Sequence, residues 1–206
     1  MSNMAGRRQA ARDVRRAALV SAAERVFAEK GYHAATVDDI TRAASVAKGT
    51  FYLHFDEKRA IYHEVIRGFL GLVQDIGRSL AAAAGKDFIA QAEVAAAELM
   101  RVFVENRELA RIAYRESLGS GERDEELAAM MRGFYRDLAE LMAANVRRGM
   151  ELGLFRAVDP MLVAYAQVGM VERVLLQLLD DPSVLPPPER IVKEMVQLAF
   201  AGVAAR

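Results

Sequence analysis

Residues 36–58 read TVDDITRAASVAKGTFYLHFDEK, and the fold turns on how this stretch is parsed. Thr36 supplies a hydroxyl ahead of Val37, and Asp38 and Asp39 follow in a first turn whose free amides carry partial positive charge, so a helix is expected to start here. A short helix over Val37–Ala44, a turn at Ser45–Ala47 and a second short helix over Lys48–His54 have helix-turn-helix dimensions. On the second helix Ala47, Phe51 and Phe55 recur at i, i+4 and i+8 and share one face, which predicts burial. Lys48 with Tyr52, Gly49 with Leu53, and Thr50 with His54 point away from it. A cation, two hydroxyls, an imidazole and a glycine permitting close approach suit a surface that enters a DNA groove. Spacing alone leaves open whether that set faces DNA or only water.

Working outward, helical spacing dominates and no stretch alternates like a strand. Leu19, Ala22, Ala23, Val26 and Phe27 form a stripe that Lys30-Gly31 should stop. Asp56 can cap a long helix past Ile61, Val65, Phe69, Leu72 and Ile76, ending near Gly85. Further helices are expected over Asp87–Glu105, Asn106–Leu118, Glu122–Glu151, Asp159–Asp180 and Glu189–Ala204. They are separated by Gly119-Ser120-Gly121, by Asp159-Pro160 as an N-cap with proline at the first position, and by Pro186–Pro188. The expected fold is all-α, with about nine helices.

Composition sets limits. The chain has 206 residues, is 53% hydrophobic and 27% charged, and lacks cysteine, which excludes a disulfide framework, a thiolate metal site and a thiol nucleophile. Net charge is zero, but residues 1–64 hold 11 Lys/Arg against 8 Asp/Glu and residues 65–206 hold 17 against 20. Five arginines and one aspartate fall within residues 1–16, a balance that permits DNA binding at that end. No continuous apolar run of a signal peptide follows, and Met161–Leu179 is interrupted by Glu172-Arg173, so no membrane partner and a cytoplasmic location are expected. The histidines, His33, His54 and His63, form no metal pair, and phosphate loop, nucleophile elbow and dinucleotide fingerprint are all missing. No catalytic residue, metal or cofactor is expected, and His63-Glu64 reads as surface or domain-interface polarity.

The run Ala22-Ala23…Val26-Phe27…Lys30-Gly31-Tyr32, then Thr36-Val37…Ile40, then Lys48-Gly49-Thr50-Phe51-Tyr52…His54-Phe55…Lys58 closely resembles the DNA-binding domain of the TetR/AcrR family over about Arg15–Val65. The resemblance implies a helix-turn-helix domain over residues 1–60 and a helical effector-binding and dimerisation domain over 61–206. It also implies a transcription repressor: a homodimer on palindromic double-stranded operator DNA, released by a small apolar or amphipathic effector. By resemblance, Thr36, Lys48, Tyr52, His54 and Lys58 hold phosphates, while Thr50 and neighbouring positions meet base edges; Leu53, apolar where polar residues are frequent, touches a thymine methyl or lies against a sugar. Two positions depart from the family pattern. Ser45 replaces the turn glycine and should need a left-handed backbone, and Ala47 replaces a hydroxyl cap. The competing reading is a helical protein-interaction module without specific DNA binding.

The residues shape the rest of that expectation. Met100, Phe103 and Val104, with Met131, Phe134 and Leu138 at helical spacing, suit an adaptable apolar pocket or ordinary core. Arg111, Tyr114, Arg115 and Tyr135 are candidate polar handles, the two arginines for an acidic head group unless they pair with Glu108. Met161, Val168, Leu175 and Leu179, with Ile191, Met195 and Leu198, predict a twofold seam in which Glu172 and Arg173 form a buried ion pair; a core helix of a monomer is the alternative. Such a dimer would space its recognition helices by about 34 Å or a multiple.

Overall fold

The structure, a computed structural model, describes residues 2–82, 88–117 and 124–203. Nine α-helices lie among them, with one 3-10 turn at Pro182–Val184 and no strand, as the spacing predicts. They are α1 (Ser2–Ala34), α2 (Val37–Ala43), α3 (Lys48–Tyr52), α4 (Lys58–Ala82), α5 (Phe88–Glu105), α6 (Arg107–Ser117), α7 (Glu125–Glu151), α8 (Pro160–Asp180) and α9 (Pro188–Ala201). The expected ends near Gly85, Asp87, Leu118–Gly121 and Ala204 lie outside the described residues. The chain divides into two compact units, Met1–Phe69 and Leu70–Arg206, with the boundary inside α4.

In the first unit the predicted stripe is the core. Leu19, Ala22, Ala23 and Phe27 are fully buried with Ile40, Phe51 and Ile61. Burying a side chain such as Phe51 contributes about 1.5–3 kcal/mol. The Tyr62 ring meets Phe27 edge-on, with centroids 5.6 Å apart. Two features differ from expectation. α1 begins at Ser2, well before its apolar stripe, whereas the expected stop at Gly31 holds as a non-helical break (φ 74°), followed by one further turn to Ala34. His63 is 4% exposed and so not at a surface, its ring 6.2 Å from that of Tyr62.

In the second unit α7 packs on α8, α5 on α9, and α6 against α7. Ala139, Ala143 and Ala164 are fully buried at the α7–α8 contact, where small side chains let the helices approach. Asp124 caps α7, described from Glu125, by accepting from the Leu127 amide at 3.0 Å; the expected start at Glu122 lies outside the described residues. Asp159 caps α8 by accepting from the Leu162 amide at 2.8 Å. At the other end, Arg107 and Arg111 donate to the Leu179 carbonyl at 3.2 and 2.5 Å, placing cations at the negative pole of α8. Gly149 is covered by the Phe155 ring so closely that a Cβ there would overlap three ring carbons. Gly77 lies against Leu138 and Leu141 of α7.

Candidate nucleic-acid interface

The helix-turn-helix is built from local chemistry. Thr36 and Asp39 form a reciprocal capping box: the Thr36 hydroxyl accepts from the Asp39 amide at 3.1 Å, and the Asp39 carboxylate accepts from the Thr36 amide at 3.1 Å and from its hydroxyl at 2.8 Å. Lys30, 2.7 Å away, together with these two Thr36 donors holds the Asp39 carboxyl down at about 2. Ser45 adopts φ 56°, the left-handed backbone expected of a residue that replaces glycine. Its amide donates to Arg42, and that of Val46 to Thr41, which turns the chain into α3. Ala47 makes no side-chain cap, as its missing hydroxyl dictates. α3 is shorter than expected, because the His54 and Phe55 amides both turn back onto the Phe51 carbonyl.

Phe51 and Phe55 anchor this short helix inward, and the opposite face is open. Tyr52 is 51% exposed and Leu53 70%, beside exposed Lys48 and Gly49 and half-buried Thr50 and His54. These six predicted residues therefore share one accessible surface. Lys48 ion-pairs with Asp38 at 2.9 Å, and that hydrogen bond raises its pKa, keeping it a cation. Partial burial, then the nearby guanidiniums of Arg12, Arg16 and Arg15, hold the His54 imidazole below its ordinary value, so it is neutral near pH 7.

The other two predicted phosphate ligands are occupied within the chain. Both donors of Thr36 go to Asp39. The Lys58 ammonium donates to the carbonyls of Tyr32 (2.7 Å), Ala35 (2.8 Å) and His33 (3.4 Å) and lies over the Tyr32 ring. Three donors meet three acceptors, and desolvation lowers the pKa of Lys58. Within the chain Lys58 therefore ties down the end of α1. Spacing misses Arg12, whose guanidinium donates to the Leu53 carbonyl at 3.3 Å, and Arg16, which binds Glu64 bidentately at 2.5 and 2.7 Å and stacks over Phe55. The surplus of arginine in residues 1–16 pointed to this end of the chain without identifying either interaction.

In the second unit the candidate effector and dimer residues are redistributed. Met100 is buried with Leu175, Ile191 and Val192, and Phe103 and Met195 pack against the group. Val168, Leu175, Leu179 and Ile191 are each under 9% exposed within their own chain, so they have no surface to give a partner. The outward face of α8 instead carries Leu162 (71%) and Tyr165 (54%), and α9 presents Leu198 (66%). Met161 lies at the alanine-rich α7–α8 contact. The predicted Glu172–Arg173 ion pair is also corrected. Consecutive helical residues point about 100° apart. Glu172 faces α7 and accepts a short hydrogen bond from the Tyr135 hydroxyl, whereas Arg173 is exposed and donates to Gln177. Burial, then that hydrogen bond, raises the Tyr135 pKa, and Tyr114 lies near enough to contribute. Met131 and Phe134 are buried on α7, Leu138 meets Gly77, and Val104 is 56% exposed and lines no interior. Arg111 is committed to Leu179 and to Glu108 at 3.3 Å; the Arg115 side chain lies outside the described residues.

Comparison with known proteins is consistent across the chain. Residues 19–65 match the model of bacterial regulatory proteins of the tetR family, and residues 85–176 match a tetracyclin repressor-like C-terminal domain, together more than half of the chain. The HTH-type transcriptional regulator YdgC of Bacillus subtilis is 28% identical over 193 residues, 90% of each chain. The repressor KstR2 of Rhodococcus jostii is 46% identical over 56 residues, 27% of this chain and 28% of its own. Among solved structures, the multidrug efflux repressor SmeT of Stenotrophomonas maltophilia superposes with TM-score 0.72 at 20% identity, covering 92% of this chain and 90% of its own. FadR of Bacillus subtilis, in complex with stearoyl-CoA, gives 0.71 at 19%, covering 90% and 97%.

Proposed function

The chain belongs to the tetR family of bacterial regulatory proteins, and on that premise we propose that it represses transcription as a cytoplasmic homodimer bound to a palindromic operator. The observation that carries the reading is the accessible face of α3, where Tyr52 and Leu53 stand exposed opposite a fully buried Phe51. Lys48 and Tyr52 take phosphates, and His54 reaches one through an imidazole N–H. Thr50 and Leu53 meet base edges, Leu53 against a thymine methyl, and Gly49 leaves room for the backbone to approach. Lys58 and Thr36 act indirectly by holding α1 and α2. The outward faces of α8 and α9, with Leu162, Tyr165 and Leu198, pair with a second copy. α8 is long and apolar enough to cross a membrane, yet only 22% of its most apolar window is buried in one chain, which favours a partner helix.

A solved neighbour holds stearoyl-CoA and another triclosan, and by analogy of fold the second unit here takes a small amphipathic effector. The Tyr135–Glu172 pair and Tyr114 are its polar handles, since Arg111 already serves Leu179 and Glu108. The effector releases DNA by preferring the weakly binding conformation, and DNA must weaken effector binding in return.

The deciding experiment selects bound fragments from random duplexes and footprints the winner. A palindrome protected by the wild-type chain, with Thr50→Ala relaxing preference at defined base pairs by about 1–3 kcal/mol, is the expected result. Recovery of no enriched sequence would leave the protein-interaction reading in its place.

A further inference from the structure

The first half of α1 stands out for what it leaves unburied. Residues 6–18 of α1 bury no side chain, and Val14 there is 69% exposed. What the segment does present is charge. At 100° per residue, Arg8, Arg12 and Arg15 fall within an arc of about 60°, with Arg7 and Arg16 outside it and Arg16 already committed to Glu64. Like charges at i, i+4 and i, i+3 repel, so the bare stripe favours an anion laid along it. No hydrogen bond or ion pair joins Arg8 or Arg15 to another described residue. Arg12 fixes where the stripe lies: it donates to the Leu53 carbonyl, at the C-terminal end of α3. Burial, then the charges of Arg12, Arg16 and Arg15, lower the pKa of the neighbouring His54.

We propose that Arg8, Arg12 and Arg15 form a second DNA contact, a guanidinium rail that grips backbone phosphates alongside the C-terminal end of the recognition helix. The proposal rests on the DNA-binding reading above and adds to it a contact from outside the helix-turn-helix. Guanidinium matches a phosphate bidentately and carries no base preference by that contact, so the rail adds affinity and register rather than sequence discrimination. Arg12 is the positioning member, with its remaining donors free for phosphate; Arg8 and Arg15 extend the grip along the strand.

The test compares wild type with the double variant Arg8→Ala/Arg15→Ala in anisotropy titrations of a labelled duplex of arbitrary sequence and of the selected operator. Removing one arginine–phosphate pair lowers the slope of log affinity against log salt by about 0.9, so the double variant should show a slope nearly two units smaller. Between about 50 and 200 mM salt the wild type then weakens roughly tenfold more than the variant. The drop in affinity should be equal on the two duplexes, Arg8→Lys/Arg15→Lys should retain most of the slope, and the melting temperature should not fall. Unchanged slope and affinity in the double variant overturn the rail while leaving the regulator reading intact. A drop confined to the operator also overturns it, since that marks base readout. A wild-type chain that binds neither duplex sinks both.

Discussion

At the scale of single residues, Ser45 and Lys58 show what a sequence does and does not disclose. A left-handed backbone at a tight turn is a local property, so the need at Ser45 is legible from the missing glycine and is met at φ 56°. That conformation costs a non-glycine residue roughly 1–2 kcal/mol. Ser45→Gly should therefore raise stability by about 1 kcal/mol in urea unfolding, and an unchanged or lower midpoint would show that the turn is unstrained. Lys58 was not legible. Its acceptors lie 23 to 26 positions back along the chain, beyond any helical spacing, and the desolvated ammonium replaces an expected phosphate ligand. Lys58→Met keeps the apolar stem and leaves three carbonyls without their cation. We expect stability to fall by about 1–2 kcal/mol with no change in the salt slope of DNA binding. A reduced slope at full stability would restore the phosphate role.

At the scale of elements, caps were readable and extents were not. The Thr36 hydroxyl ahead of two acidic residues announces the start of α2, and Asp159-Pro160 announces α8, whereas the reciprocal box between Thr36 and Asp39 shows only in the fold. Residues 6–18 of α1 carry no helical signature in the sequence because they bury no side chain, and periodicity sees only buried faces. The α2 cap makes a pH prediction. Asp39 titrates near 2 when folded and at about 3.9 in an unfolded chain, so the folded state binds its proton less readily. The carboxylate's stabilisation is present above about 4 and disappears as pH falls through about 2. Wild type and Asp39→Asn should accordingly converge in melting temperature between about pH 4 and about pH 2, the window set by those values. Parallel decline over that range would remove Asp39 from the acid response.

At the scale of the whole molecule, the apolar residues of α8 do not say from sequence which side faces inward. Residues Val168, Leu175 and Leu179 share one face, and α5 and α9 cover Leu175. Leu162, Tyr165 and Gly169 share the other. The substitution that separates assembly from folding is therefore on the second face. Leu162→Glu with Leu198→Glu should leave helical content intact, yield a 22.7 kDa monomer in sedimentation, and weaken operator binding severely. Leu175→Glu should instead lower folding stability itself, because it puts a charge into the Met100 cluster. A double variant that still sediments as a dimer would place the seam elsewhere.

The Phe155 ring resting on Gly149 has a consequence for how this lineage can vary. Any side chain at position 149 overlaps the ring, and any shrinkage of the ring uncovers the cluster of Val146 and Val203. Neither position can drift alone, so across descendants the two should behave as one inherited character. Substitutions at 149 should survive only in backgrounds where 155 has already shrunk.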